Sequence, residues 1–323
     1  MPFNSVISRT DAASLIPEEV SNDILGLVAG GNPLMQLARK LPNMSRAQQR
    51  MPVMNALATA YFVTGDTGLK QTTEISWANR FIDAEELAVI VPIPSSVLDD
   101  VNYDIWGQIK PELVNAFQAA ITAAVLFGTN IPASWTTNLG AAGIFAGATA
   151  AGHIVSLANY ADAYEAVLGE TAGGVDGMWM QMEADGFMPT GSLAHPVMKG
   201  ILRNVRAVGG EPIFKPNMQD GTRYDLDGTP CYFATDGSFN PATAYMISGE
   251  WKHLVYAMRQ DITYTVLDQA VIQDNAGAIV YNLAQQDMVA LRAVMRLGFA
   301  LPNPINRMNQ NAATRYPFSI LTA

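Results

Sequence analysis

Residues Tyr61 to Gly128 constrain the fold more than any other stretch. Bulky residues alternate at Ile75, Trp77, Asn79 and Phe81, and again at Leu87, Val89 and Val91. Period-two alternation is the mark of strand, so the chain is extended here. Upstream, Tyr61-Phe62-Val63 leads into Thr64-Gly65-Asp66-Thr67-Gly68-Leu69-Lys70, a polar, glycine-punctuated tip. An extended run from Glu74 to Ile93 would span about 65 Å. The radius of gyration of a compact chain of this length is only about 20 Å. Part of the hairpin must then project, and a projecting strand pair exposes backbone and apolar side chains that need a neighbour.

The composition fits a chain that hides surface against other subunits. Of 323 residues, 49% are hydrophobic and only 15% charged, below the roughly 25% of ordinary soluble domains. The net charge of −10 excludes the global basic character with which proteins wrap nucleic acid. Cys231 is the only cysteine, which excludes an intrachain disulfide and a multi-thiolate metal site. The start, Met1-Pro2-Phe3-Asn4, lacks the regions of a signal peptide, and apolar runs such as Ala119–Phe127 are too short for a bilayer. No membrane role is expected.

Prolines at Pro92 and Pro94 end the returning strand, and Ser95 or Ser96 caps a short turn to Asp100. A long helix is expected from Asn102 to Phe127, about 39 Å, with Leu113, Phe117, Ala120, Ile121, Ala124 and Val125 on one face. Pro111 should kink it or start it anew. The stretch Gly140–Gly152, rich in Gly and Ala, suits a loop or a close crossing. Helices are expected near Tyr160–Leu168 and Val175–Ala184, and from Pro196 to Val205. Asp227-Gly228 marks a hairpin turn. Strands are expected at Ala244–Ile247, Leu254–Met258 and Ile262–Leu267, and Asp287–Ala300 reads best as a strand crossing a sheet.

In this order the elements resemble the major capsid proteins of tailed bacteriophages, the Hong Kong 97-like fold. The resemblance rests on Leu15-Ile16-Pro17-Glu18-Glu19-Val20 with Asn32-Pro33-Leu34-Met35 in an N-terminal arm. It rests further on Phe81-Ile82-Asp83-Ala84-Glu85-Glu86 running to Pro94, on Leu126-Phe127-Gly128 closing the helix, and on Ile247-Ser248-Gly249-Glu250-Trp251. It implies an α+β fold in five parts: an N-terminal arm (1–50), an extended loop (51–92), a peripheral domain with the spine helix (93–135), an axial domain (136–250) and a return to the peripheral sheet (251–323). It also implies a subunit of an icosahedral shell, assembled as hexamers and pentamers in the host cytoplasm, that encloses double-stranded DNA in the virion. Portal and decoration proteins are the expected partners. Because Met1 lies a short distance before the arm, a separate scaffolding protein is expected.

Inter-subunit contacts are expected at Lys70, Trp77, Phe81, Glu85, Glu86, Asn275 and Asn282. Some relatives cross-link the loop through a lysine and a neighbour's asparagine. Here the residues after Asn282 are Gln285, Gln286 and Asp287, which supply no convincing acid, and Lys70 reads as a solvated or salt-bridging loop residue.

Enzyme signatures are lacking: there is no phosphate-binding loop, dinucleotide fingerprint or nucleophile elbow. His153, His195 and His253 lie far apart and read as separate structural residues. No cofactor, metal or catalytic residue is expected. Two alternatives stand beside the shell subunit: an encapsulin-type nanocompartment protein, which would bind a cargo peptide, and an α+β enzyme with dispersed site residues.

Overall fold

The computed structural model describes residues 32–63, 65, 68–100, 105–139, 143–169, 177–205, 225–274 and 276–323. The arm sequence before Asn32, residues 171–174 and Asn275 lie outside the described residues.

The first element among the described residues is a short helix, Pro33–Leu37, whose N-cap is Asn32: its side chain accepts from Leu34 N. Strands β1 (Arg39–Lys40), β2 (Gln48–Ala56), β3 (Ser76–Asp83) and β4 (Glu85–Pro94) follow. The helices Ser95–Asp100 and Ile105–Phe127 come next, then Ala133–Leu139 and Ile144–Ala151. After β5 (Ile154–Ser156) come helices Ala163–Leu168 and Met178–Ala184, then β6 (Gly191–Ala194) and helix Val197–Asn204. The remainder is mostly strand: β7 (Asp225–Leu226), β8 (Thr229–Phe233), β9 (Met246–Gly249), β10 (Val255–Leu267), β11 (Val271–Gln273), β12 (Ile279–Asn282), β13 (Met288–Ala300) and β14 (Phe318–Thr322). The fold is α+β. Its sheets are β1-β10-β13-β4, β5-β14-β9-β6-β8-β7, and the ribbons β2-β3 and β11-β12.

The chain divides into two compact units. The larger holds Asn32–Glu85, Ala116–Arg259 and Leu297–Ala323. Its six-stranded sheet is mixed: β14 runs parallel to β5 and antiparallel to β9, and β6 runs parallel to β8. Val167, Met178, Met182, Met198 and Leu202 from three helices pack with Ala194, Met246 and Leu321 from the sheet, all buried. Full burial of a side chain of this size is worth about 1.5–3 kcal/mol, so this cluster stabilises the unit more than any polar contact in it. The turn Asp227-Gly228 joins β7 to β8 with φ of 44° and 76°, the left-handed pair that a two-residue hairpin turn requires.

The second half of the long helix belongs to the same unit. Phe117, Ile121, Val125 and Leu126 are buried at helical spacing. Asn32 is fully buried beside it and donates to Gln118 O and Thr122 Oγ1. Gly128, at φ 68°, ends the helix.

The smaller unit holds Glu86–Asn115 and Gln260–Arg296 among the described residues. In it the β11-β12 hairpin closes on Asp274, whose Oδ1 accepts from Ala276 N (2.9 Å) and Ala278 N (2.8 Å). Ser95 N donates to Asp287 O at 2.9 Å where β4 gives way to helix.

Four expectations change. The outgoing strand of the long hairpin is Gln48–Ala56, upstream of Tyr61, and residues 57–75 form no strand where described. The two strands are therefore joined through residues 57–75, a connection longer than the glycine-punctuated tip alone. The expected strands Leu254–Met258 and Ile262–Leu267 are one strand, β10, because Gln260 and Asp261 interrupt the apolar run without breaking the backbone ladder. Within the Gly/Ala stretch, Ile144–Ala151 is helical. There Gly147 also makes the close crossing, since a Cβ would lie 2.3 Å from Tyr316 Oη. The helix Ile105–Phe127 runs through Pro111, so Pro111 does not start a second helix.

Candidate functional site

The β2-β3 ribbon is the most unusual surface. Its register pairs Gln48 with Asp83, Arg50 with Phe81 and Met54 with Trp77, and slips between Met54 and Ala56. Beyond that slip the loop continues, with Thr59 N donating to Thr73 Oγ1 at 2.9 Å.

Near its base the ribbon is firmly seated. Ile82 is fully buried with Met44, Val255, Ala257 and Ala300. Gly298 lets the strands approach: a Cβ there would meet Asp83 O at 2.5 Å. Trp135 Nε1 donates to Asp83 O at 2.9 Å, and its ring stands edge-on to Phe299 with centroids 5.4 Å apart. Ser134 Oγ donates to Glu85 Oε1 at 2.6 Å, a charge-assisted bond. Two residues near the C-terminus hold the outgoing side: Arg307 Nη2 donates to Ala58 O at 2.9 Å, and Ile305 N to Met54 O at 3.5 Å.

Farther out the ribbon has no cover. Trp77 is 65% exposed, Leu69 is 90% exposed, and Phe62 is fully exposed; Tyr61, Val63 and Ile75 are also exposed. Isolated exposed apolar residues are ordinary, but six of them on one ribbon and the loop it carries make that segment a candidate interaction surface. In the smaller unit, the β11-β12 hairpin shows the same character at Val271, Ile279 and Val280.

The expected contact residues fall in different places. Lys70 is exposed on the loop, Trp77 is exposed on β3, and Phe81 is half-buried on the same strand. Glu85 is the first residue of β4, and its Oε1 takes the Ser134 bond. Glu86 opens the smaller unit, where Arg296 Nη2 (2.6 Å) and Nε (2.9 Å) both donate to its Oε2. Asn282 caps a short helix, its Nδ2 donating to Gln285 Oε1 at 2.9 Å and its N to Gln286 Oε1 at 3.0 Å. The residues that seat the ribbon, Ser134, Trp135, Gly298 and Arg307, were not foreseen. Nothing local in the sequence signals them, since each acts on a segment at least 49 residues away.

The histidines occupy separate sites. His153 Nε2 lies 3.2 Å from Asp185 Oδ2, His195 Nδ1 accepts from Val197 N, and His253 pairs with Glu250. Among the described residues no group of three or more His, Cys, Asp or Glu could hold a metal ion. Burial pushes the Cys231 thiol up to about 12, with Lys199 acting weakly the other way; it behaves as a small core hydrophobe. No described helix is long and apolar enough to cross a membrane.

Comparison with known proteins gives these surfaces a context. Residues 12–306 match the model of the phage capsid family. The major capsid protein of Staphylococcus phage 80alpha is 26% identical over 306 residues, covering 92% of this chain and 84% of that protein. A structure from Microbacterium phage Oxtober96 superposes with a TM-score of 0.76 at 28% identity, covering 98% of this chain and 99% of the other. One from Mycobacterium phage Bobi gives 0.74 at 29% identity, with the same coverage. The chain belongs to the phage capsid family, as a major capsid protein with the Hong Kong 97-like fold.

Proposed function

We propose that the chain self-assembles, as hexamers and pentamers, into an icosahedral shell that encloses double-stranded DNA. One observation carries this reading: the β2-β3 ribbon is anchored at its base by polar bonds, while its outer part and the loop it carries are bare, with Trp77, Leu69 and Phe62 exposed. Aromatic anchors concentrate contact energy at interfaces. Weak contacts of this kind, repeated under closed symmetry, add to a stable particle. The ribbon lies over an adjacent subunit in this proposal, with Lys70, Trp77 and Phe81 in that contact and Glu85, Glu86, Asn275 and Asn282 near neighbouring contacts. The five-part division into arm, loop, peripheral domain, axial domain and return belongs to the same proposal.

The acidic balance of the chain, −10 overall, suits a container that does not bind packaged DNA to its wall. Assembly in the host cytoplasm, scaffolding and decoration proteins, and a portal through which DNA enters complete the reading. It makes the chain a structural protein and not an enzyme. Sedimentation of the purified chain, alone and with the products of its neighbouring genes, tests it. Fast-sedimenting particles that appear hollow and faceted in negative stain are expected. A monomer or small oligomer under every condition would overturn it.

A further inference from the structure

Residues 32–65 carry Arg39, Lys40, Arg46 and Arg50 and no acid, a basic stretch in a chain of net charge −10. The fold brings two of these cations to one groove. Strand β1 sets Arg39 beside Val255, just after the turn at Lys252-His253, and β2 pairs Gln49 and Arg50 with Ile82 and Phe81. With Pro302 and Pro304, these elements line a groove of about 510 Å3 in the larger unit. Small-molecule sites fall in the same range, roughly 300–1,000 Å3.

The lining combines three chemistries. Met51, Val53, Ile82, Pro302 and Pro304 make much of it apolar. Its cations are not all spoken for: Glu250 takes Lys252 and His253, but Arg39 and Arg50 are exposed and have no ion-pair partner among the described residues. Gln49 supplies the third, since its Oε1 is buried without a hydrogen-bond partner. A buried acceptor left unpaired is unfavourable, and an N–H brought into the groove relieves it.

Each chemistry suits one part of a single ligand. Guanidinium forks match the oxygens of a phosphate. Apolar side chains accept the flat face of a ring. The orphan carbonyl of Gln49 calls for an N–H, which the exocyclic amines of adenine, cytosine and guanine present. We propose that the groove binds a free nucleoside monophosphate, with Arg39 and Arg50 on the phosphate, the apolar lining against the base and Gln49 on the base edge. A duplex keeps its bases inside the stack, so this site takes no packaged double-stranded DNA. The inference stands apart from the assembly reading.

Equilibrium dialysis of the unassembled full-length chain at low salt tests it, with adenosine monophosphate, adenosine and inorganic phosphate as probes. Adenosine monophosphate should bind about tenfold tighter than either fragment, because only it meets all three chemistries. Arg39→Gln with Arg50→Gln should weaken the monophosphate about tenfold and leave adenosine unchanged. Gln49→Met keeps the side-chain length without the amide and should weaken the monophosphate and adenosine alike, by about fivefold. Circular dichroism checks the fold of each variant; if the arginine double variant does not fold, the wild-type ranking of probes and Gln49→Met still decide. Phosphate binding as tightly as the monophosphate would reveal a bare anion site and overturn the proposal. So would a monophosphate that does not bind, or one that binds the variants as it binds wild type. An oligodeoxyadenylate that binds tighter than the monophosphate would assign the groove to a single strand, which also overturns it.

Discussion

Asp185 shows how single residues hold the distal chain in place. It is buried; its Oδ1 accepts from Asn309 Nδ2 at 2.6 Å, its Oδ2 from Tyr316 N at 3.0 Å, and its backbone O from Asn306 Nδ2 at 2.6 Å. Arg315 completes the clasp by donating to Asn303 O and Asn309 O. Replacing Asp185 by Ala strands several donors at once and should destabilise the fold by about 2–4 kcal/mol in denaturant unfolding. His253 makes a pH prediction. Burial holds its imidazole below the usual range, against the opposing pull of Glu250. The unfolded chain therefore binds the proton more readily than the native one, so His253 contributes stability at neutral pH that is lost as pH falls through about 6.5 and below. His253→Gln should flatten the acid limb of a melting-temperature profile. An unchanged limb would show that other groups set it. The Asp185 partnerships were not legible beforehand, because Asp185 and the Asn303–Tyr316 segment meet only after more than a hundred intervening residues.

Elements were more legible, and the reason is local. Strand β4 keeps Leu87, Val89 and Val91 on one side as the alternation required, and the long helix keeps Leu113, Phe117 and Ile121 on its buried face. Asp227-Gly228 and Gly128 declared their turns through residues that tolerate positive φ. What stayed hidden was pairing: which strand answers Ser76–Asp83, and what seats it. The answer, Gln48–Ala56, contains Pro52 and few β-branched residues, so neither propensity nor alternation singled it out. At this scale Gly298→Val should unseat the ribbon by driving side-chain atoms into Asp83 O, and Trp135→Phe should cost about 1 kcal/mol by removing its indole bond to that carbonyl. Both are read by thermal unfolding. Trp77→Ala, by contrast, should leave monomer stability within about 0.5 kcal/mol and lower particle yield. Equal loss of both would assign Trp77 to its own subunit.

At the scale of the whole molecule, the order of elements carried the family before any single motif did. The chain superposes over 98% of its length on capsid structures only 28–29% identical, because one shape is reached through packing patterns that many sequences satisfy. The contacts between copies were not legible to the same degree, since an exposed Trp and an exposed Lys look alike in sequence whether solvent or a neighbour meets them. The central claim is that the outer part of the β2-β3 ribbon and the loop it carries form an interface between copies. An electron cryo-microscopy reconstruction of assembled particles tests it most directly. The account predicts that Trp77, Leu69 and Phe62 lie buried against an adjacent subunit; a particle in which all three still face solvent would contradict it.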